Sequence, residues 1–197
     1  MRLRYSPSSP FARKVRVAAA VLGVPLELET ADTMDANDTL RQQNPLGKIP
    51  ILLRDNGPAL FDSSVIVTYL DHVAGGNRLI PTETEARFAT LRLEALADGV
   101  MDAALLQVYE RRYRPEDKVV QSWLDNQAGK IARSLAELEA APPAAGAPTA
   151  GDIALACAFG YLDFRHGGAW RADHPNLVAW YEAFPARCPG FSETAPG

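Results

Sequence analysis

Four short stretches of this 197-residue chain combine residue types at spacings that could do chemistry. The first is Ser9, which precedes Pro10 and a run in which Phe11, Val15, Ala18 and Leu22 step by three or four. That stepping is one face of a helix, with serine at its N-cap and proline in its first turn. A helix N-terminus has free N–H groups and the positive end of the dipole, so it stabilises an anion such as a thiolate or a phosphate. The Ser9 hydroxyl would add one hydrogen bond. The commoner duty of such a serine is to cap its own helix, and Ser6 and Ser8 stand close enough to compete.

The second stretch, Asn44-Pro45-Leu46-Gly47-Lys48-Ile49-Pro50, leads into the apolar run Ile51-Leu52-Leu53. A proline at the head of a strand cannot donate to the ladder, and X-Pro bonds are the ones that adopt the cis form. A cis bond before Pro50 would turn the Ile49 N–H and C=O toward a ligand backbone. A trans bond would make a simple turn, and the pattern leaves both open. At Phe61-Asp62-Ser63-Ser64 a helix starts directly after a strand candidate. Its free N–H groups and the Ser63 hydroxyl form a carboxylate site, and Asp62 could bind an ammonium, so the pair would grip the α-amino acid end of a ligand. Capping alone is the simpler reading of both residues. Fourth, Phe88, Leu91, Ala95, Asp98, Asp102, Leu105 and Tyr109 step by three or four throughout. Asp98 and Asp102 interrupt this apolar stripe, and like charges at that spacing repel. A basic partner, a ligand amine or water in a cleft must offset them, unless the stretch faces solvent near a dimer axis.

These stretches need elements to position them. Leu3–Tyr5 is a short strand candidate. The helix after Ser9 ends at Gly23, and Pro25 blocks its continuation. Leu26, Leu28 and Thr30 alternate with Glu27 and Glu29, the pattern of a half-buried strand. Residues 31–44 predict a loop with a short helix. Residues 49–53 and 59–61, joined through Asp55-Asn56-Gly57, predict a hairpin. Ser63 opens a helix with Ile66, Leu70 and Val73 on one face. The predicted order is β-α-β-α-β-β-α. After it, Gly75, Gly76 and Pro81 mark a linker. From there to residue 190 the chain reads as helix. It holds a long helix from Glu85 to Arg112, a second over 116–140, a capping box at Thr149-Ala150-Gly151-Asp152 and a short helix over 176–186. The tail from Pro189 is expected to be loose. The expected division is a domain at 1–74, a linker at 75–83 and an all-helical domain at 84–197.

Composition narrows the function classes. Apolar residues at 47% and charged residues at 22% belong to an ordinary globular chain. No run of apolar residues is long enough to span a membrane, and neither a signal peptide nor a lipidation motif is present. A cytoplasmic protein without membrane contact is the expectation. A net charge of −4 argues against nucleic acid as a partner. Cys157 and Cys188 are too few for a disulfide framework, and their roles stay open. His72, His166 and His174 form no ligand pattern, so no metal is expected.

Taken together, the motifs resemble the cytosolic glutathione S-transferase superfamily over nearly the whole chain. Ser8-Ser9-Pro10-Phe11-Ala12-Arg13-Lys14-Val15-Arg16 resembles the first helix of its serine-type members, Asn44 to Pro50 the segment with the family's cis-proline, and Phe61-Asp62-Ser63 its acid-serine glutathione motif. Thr149 to Asp152 is similar to the family's second-domain capping box, and Glu94-Ala95-Leu96-Ala97-Asp98-Gly99 resembles a bacterial subgroup.

The resemblance implies an α/β plus all-α architecture, a thioredoxin-like N-terminal domain followed by an all-helical C-terminal domain. It implies glutathione as co-substrate, with Asp62 and Ser63 on its γ-glutamyl end, the Ile49 backbone beside cis-Pro50 on its cysteinyl unit, and Ser9 as the catalytic residue near its sulfur. Tyr5, in a strand candidate, is a poorer donor than Ser9. It implies a homodimer in which Asp98 or Asp102 reaches the neighbouring glutathione. Phe11, Leu105 and Tyr109 would wall the pocket of a small, mostly apolar electrophile. No cysteine stands at the first helix, so catalysis through a protein thiol is not expected. The alternatives are a glutathione-dependent disulfide or peroxide reductase, and a scaffold that has kept the fold without catalysis.

Overall fold

Leu3 is fully buried because its strand runs through the middle of a sheet. In the computed structural model, which describes residues 1–196, β1 (Arg2–Tyr5) lies between parallel β2 (Glu27–Thr30) and antiparallel β3 (Ile51–Leu53). Leu3 sits opposite Leu28 on one side and Leu52 on the other. Helices α1 (Pro10–Leu22) and α3 (Ser63–Val73) pack on each other beside this sheet, and α2 (Leu40–Gln43) is a single turn. This is the expected thioredoxin-like domain. Gly23 closes α1 at φ 70°, where a side chain would be strained.

Two expectations about the sheet change. The hairpin's second strand shrinks to one bridge, in which Leu52 and Leu60 exchange N–H···O bonds at 2.9 Å. Strand β2 forms, yet it is not half-buried: it is an edge strand, and Leu28 is 45% exposed. Its glutamates face arginines of β1, with Arg2 Nη1 2.9 Å from Glu29.

The second domain contains α4 (Thr84–Tyr113), α5 (Gln121–Ala140), α6 (Ala150–His166) and α7 (Pro175–Ala183), with short 3-10 turns between and after them. Helix α6 is the centre: every residue from Ala150 to Leu162 is buried, against α4 on one side and α1 of the first domain on another. The capping box is complete, since the Thr149 N–H donates to Asp152 while the Asp152 N–H donates to Thr149 Oγ1. Close packing needs small residues. A Cβ on Gly160 would fall 2.2 Å from the Arg13 guanidinium.

The tail is not loose. Arg13, buried inside α1, stacks its guanidinium 4.1 Å from the Phe191 ring centre and donates to the Phe191 carbonyl at 3.0 Å and to Thr194 Oγ1 at 3.4 Å. The segment around Phe191 and Thr194 thus straps α1 to the second domain, because a buried arginine must find acceptors wherever the chain can bring them.

Candidate functional site

A cleft of about 660 Å³ opens between the two domains. One wall comes from the first domain. At its head Ser9 is the N-cap of α1, its Oγ accepting from the Ala12 N–H at 3.2 Å. That bond uses an oxygen lone pair, so the hydroxyl hydrogen is free to donate into the cleft. The capping and donating roles are therefore compatible. Ser6 and Ser8 also line the cleft, and their hydroxyls lie 3.2 Å from each other.

Further along this wall the Ile49–Pro50 peptide is cis. Buried Asn44 staples the turn before it: its side chain donates to the Lys48 carbonyl at 2.9 Å and accepts from the Leu46 N–H at 3.0 Å. Pairing of β3 with β1 begins only at Ile51, so the Ile49 peptide stays outside the ladder and faces the cleft. The wall ends at the start of α3. There Asp62 is the N-cap, accepting from the Ser64 N–H at 3.1 Å, with buried Ser63 beside it.

The opposite wall is α4 and the end of α6. Asp98, Asp102, Leu105 and Tyr109 line the cleft in that order, and Phe11 of α1 faces them. The basic partner that the spacing of the two acids demands is Lys14. This fully buried lysine sits 2.8 Å from Asp98 and 3.0 Å from Glu94, and the Ser64 hydroxyl donates to Asp98 at 3.0 Å. Burial pushes the Asp98 carboxyl above the ordinary carboxylate range, and the charge of Lys14 opposes it. Asp102, one turn on, faces the open cleft. Burial raises its pKa too, Lys48 pulls it down and Asp62 pushes it up. At the other end of the stripe Phe88 lies outside the core, 63% exposed.

Comparison with known proteins decides the family. Residues 3–78 match the glutathione S-transferase N-terminal domain and residues 121–183 the C-terminal domain. An uncharacterised GST-like protein of Escherichia coli K12, YibF, is 35% identical across all of this chain and 98% of its own. The chain belongs to the glutathione S-transferase family. A family member from Pseudomonas fluorescens Pf-5 has a structure with bound glutathione that superposes with a TM-score of 0.90, at 44% identity over 100% of this chain and 98% of that one. A second structure described as from the same organism, with bound S-(propanoic acid)-glutathione, gives 0.89 at 43% identity over 100% of both chains.

Sequence reasoning missed several residues in and behind this cleft. Lys14 went unnoticed because a lysine amid an amphipathic helix reads as solvated. Arg112 continues the α4 stripe three residues beyond Tyr109, a signal that was available. Tyr161 and Arg165 also line the cleft, one turn apart on α6. Both cysteines are buried, and burial pushes the Cys157 thiol up to about 11 and the Cys188 thiol up to about 12.

Proposed function

We propose that the protein is a serine-type bacterial glutathione transferase that holds the glutathione thiolate and directs it at a small, mostly apolar electrophile. The observation that carries this reading is that the Ser9 hydroxyl, the Ile49 peptide and the N-terminus of α3 all open into one cleft. Glutathione and a thioether of it occupy the Pseudomonas structures, which supports the same ligand here. In this reading residues 1–74 bind glutathione and residues 84–197 shape the acceptor pocket, with 75–83 as linker. Asp62 takes the glutathione ammonium, the first turn of α3 with Ser63 its α-carboxylate, and the Ile49 backbone the cysteinyl unit. A free thiol near pKa 8.5 is mostly protonated at neutral pH. The Ser9 O–H and the N-terminus of α1 favour the anion. The thiolate attacks the electrophilic carbon, a C–S bond forms, and the electron pair leaves on the displaced group or the activated carbon.

A homodimer in the cytoplasm completes the proposal. Asp98 is engaged by Lys14, which leaves Asp102 as the better candidate to reach a neighbouring glutathione. The test is calorimetric titration with glutathione, followed by ultraviolet absorbance of the bound thiolate as pH is raised. Saturable binding with a thiolate signal below the free-thiol value is expected. In Ser9→Ala the bound thiol pKa should rise by about one unit, equivalent to about 1.4 kcal/mol. Binding without a shifted thiolate signal would point to a reductase or a binding protein. No binding would remove the roles of Asp62, Ser63 and Ile49.

A further inference from the structure

We propose that the far end of the cleft binds an anion, so that the electrophile this chain accepts carries a carboxylate on its apolar body. The proposal rests on the transferase reading above and names the acceptor's class. Its basis is Arg112 on α4 and Arg165 on α6, both of which line the cleft beside Tyr109, Tyr113 and Tyr161.

Helix geometry separates this end from the acidic one. Arg112 lies ten residues beyond Asp102 on the same stripe, about 15 Å along the axis at 1.5 Å per residue. The cleft therefore runs from Asp62 and Asp102, suited to an ammonium, to the Arg112 guanidinium on α4, and Arg165 lines it from α6. Helices α4 and α6 run parallel here. A Cβ on Gly151 would meet the Thr90 carbonyl, and the His166 ring lies 3.2 Å from the Ala104 carbonyl. Each helix brings a tyrosine and an arginine to the cleft. Burial pushes the Tyr161 phenol above its ordinary value, and the charges of Arg165 and Arg112 both pull it down.

Arginines in a last helical turn complement the helix dipole wherever they point. What marks these two is that no carboxylate answers their charge; the Arg165 guanidinium rests on the Phe164 ring, 4.0 Å from its centre. No ion pair among the described residues uses either one. The carboxylates nearest in sequence are taken: Glu110 lies 2.7 Å from Arg114, and Asp163 lies 2.7 Å from Arg171. The Arg165 Nε is buried without a hydrogen-bond partner. A buried donor of that kind costs free energy until an acceptor arrives. A guanidinium fork matches a carboxylate in two-point geometry. The aromatic wall, with the Tyr109 and Tyr113 rings edge-on at 5.2 Å, suits a flat apolar body between the sulfur and that charge.

The test compares two conjugates that differ in charge and little else, S-(4-carboxybenzyl)glutathione and S-(4-carbamoylbenzyl)glutathione. Both are titrated by calorimetry, with glutathione itself alongside. The wild-type protein should bind the carboxylate about tenfold more tightly than the amide, the scale of one charge-assisted hydrogen bond. In Arg112→Ala/Arg165→Ala that ratio should fall close to one. The ratio cancels any effect on the shared glutathione end and is read first on the wild type, so it does not depend on the variant folding. A wild-type ratio near one, with glutathione still bound, would overturn the anion site alone. A ratio that survives the double variant would overturn its assignment to these arginines. Failure of glutathione and both conjugates to bind would overturn the transferase reading and the anion site together.

Discussion

The two walls of the cleft present different parts of the chain. The first domain offers backbone and caps: the Ser9 N-cap, the Ile49 peptide outside the ladder, and the first turn of α3. The second domain offers side chains, with Leu105, Tyr109 and Arg112 from α4 and Tyr161 and Arg165 from α6. A site built from element ends is fixed once those elements start and stop in the right place. A site built from side chains on long helices depends on how each helix is rotated and packed. The first wall therefore suits a constant ligand, and the second can change what it accommodates by a few substitutions without disturbing the fold.

Lys14 holds the two walls together, and breaking that contact should have the largest effect. Its ammonium is fully buried between α1 and α4, 3.0 Å from Glu94 and 2.8 Å from Asp98. Lys14→Met leaves two carboxylates with no counter-charge. Removing one partner of a buried pair costs about 3–5 kcal/mol, which lowers the melting temperature by about 10 °C in a chain of this size. Thermal unfolding followed by circular dichroism checks this. An unchanged melting temperature would show that the junction does not need the cluster.

The next effect concerns the strap. Phe191 is buried against Phe184 and Tyr181, its ring centre 5.0 Å and 5.9 Å from theirs, and it carries the stacked Arg13. Phe191→Ala should cost about 3 kcal/mol, in the range for burying and then deleting a phenyl ring. Urea unfolding gives the number. A loss within a few tenths of a kcal/mol would restore the loose tail that the sequence suggests.

The contrast between the walls also explains what was legible in the sequence. Ser9-Pro10, Ile49-Pro50 and Asp62-Ser63 are punctuation, short signals that mark where an element begins, and each stands where the chain turns toward the cleft. The α4 stripe was legible as a periodicity, and the conflict between Asp98 and Asp102 foretold a partner. What periodicity does not give is which face of a helix meets which neighbour. Helix α6 is buried on all sides from Ala150 to Leu162, so it has no polar face to orient it, and Tyr161 and Arg165 give no sign of where they point. Lys14 and Arg13 defeat pattern reading for the same reason, because their partners lie 80 and 178 residues away. The edge position of β2 is likewise a tertiary fact: alternation predicts a strand and not what covers it.

Ser63→Ala tests the first wall without touching a cap, since Asp62 and not Ser63 accepts from the Ser64 N–H. Glutathione affinity should fall by about tenfold, the loss expected when a charge-assisted hydrogen bond is removed, while the melting temperature stays within error. Calorimetry and thermal unfolding on the same sample separate the two. A drop in stability matching the drop in affinity would mean that Ser63 supports α3 and that the backbone alone holds the carboxylate.

The smallest effect belongs to the second wall and depends on pH. His166 closes α6, its Nε2 3.2 Å from the Ala104 carbonyl of α4, and burial lowers its pKa below the usual histidine value, against that hydrogen bond. In the unfolded chain the ring takes its proton near pH 6.5. In the folded protein it does so only at lower pH. Between those two values the unfolded state binds more protons, so stability rises with pH through the window. The contribution of His166 is complete above about pH 6.5 and is lost as the pH falls toward the lowered folded value. His166→Gln keeps a donor and cannot titrate, so the melting temperature of the variant should vary less than that of the wild type across this window. The glutathione end of the cleft should be indifferent to the change, because α1 and α3, not the end of α6, build it. A variant that altered glutathione binding and melting together would show that the walls are coupled more tightly than their separate construction implies.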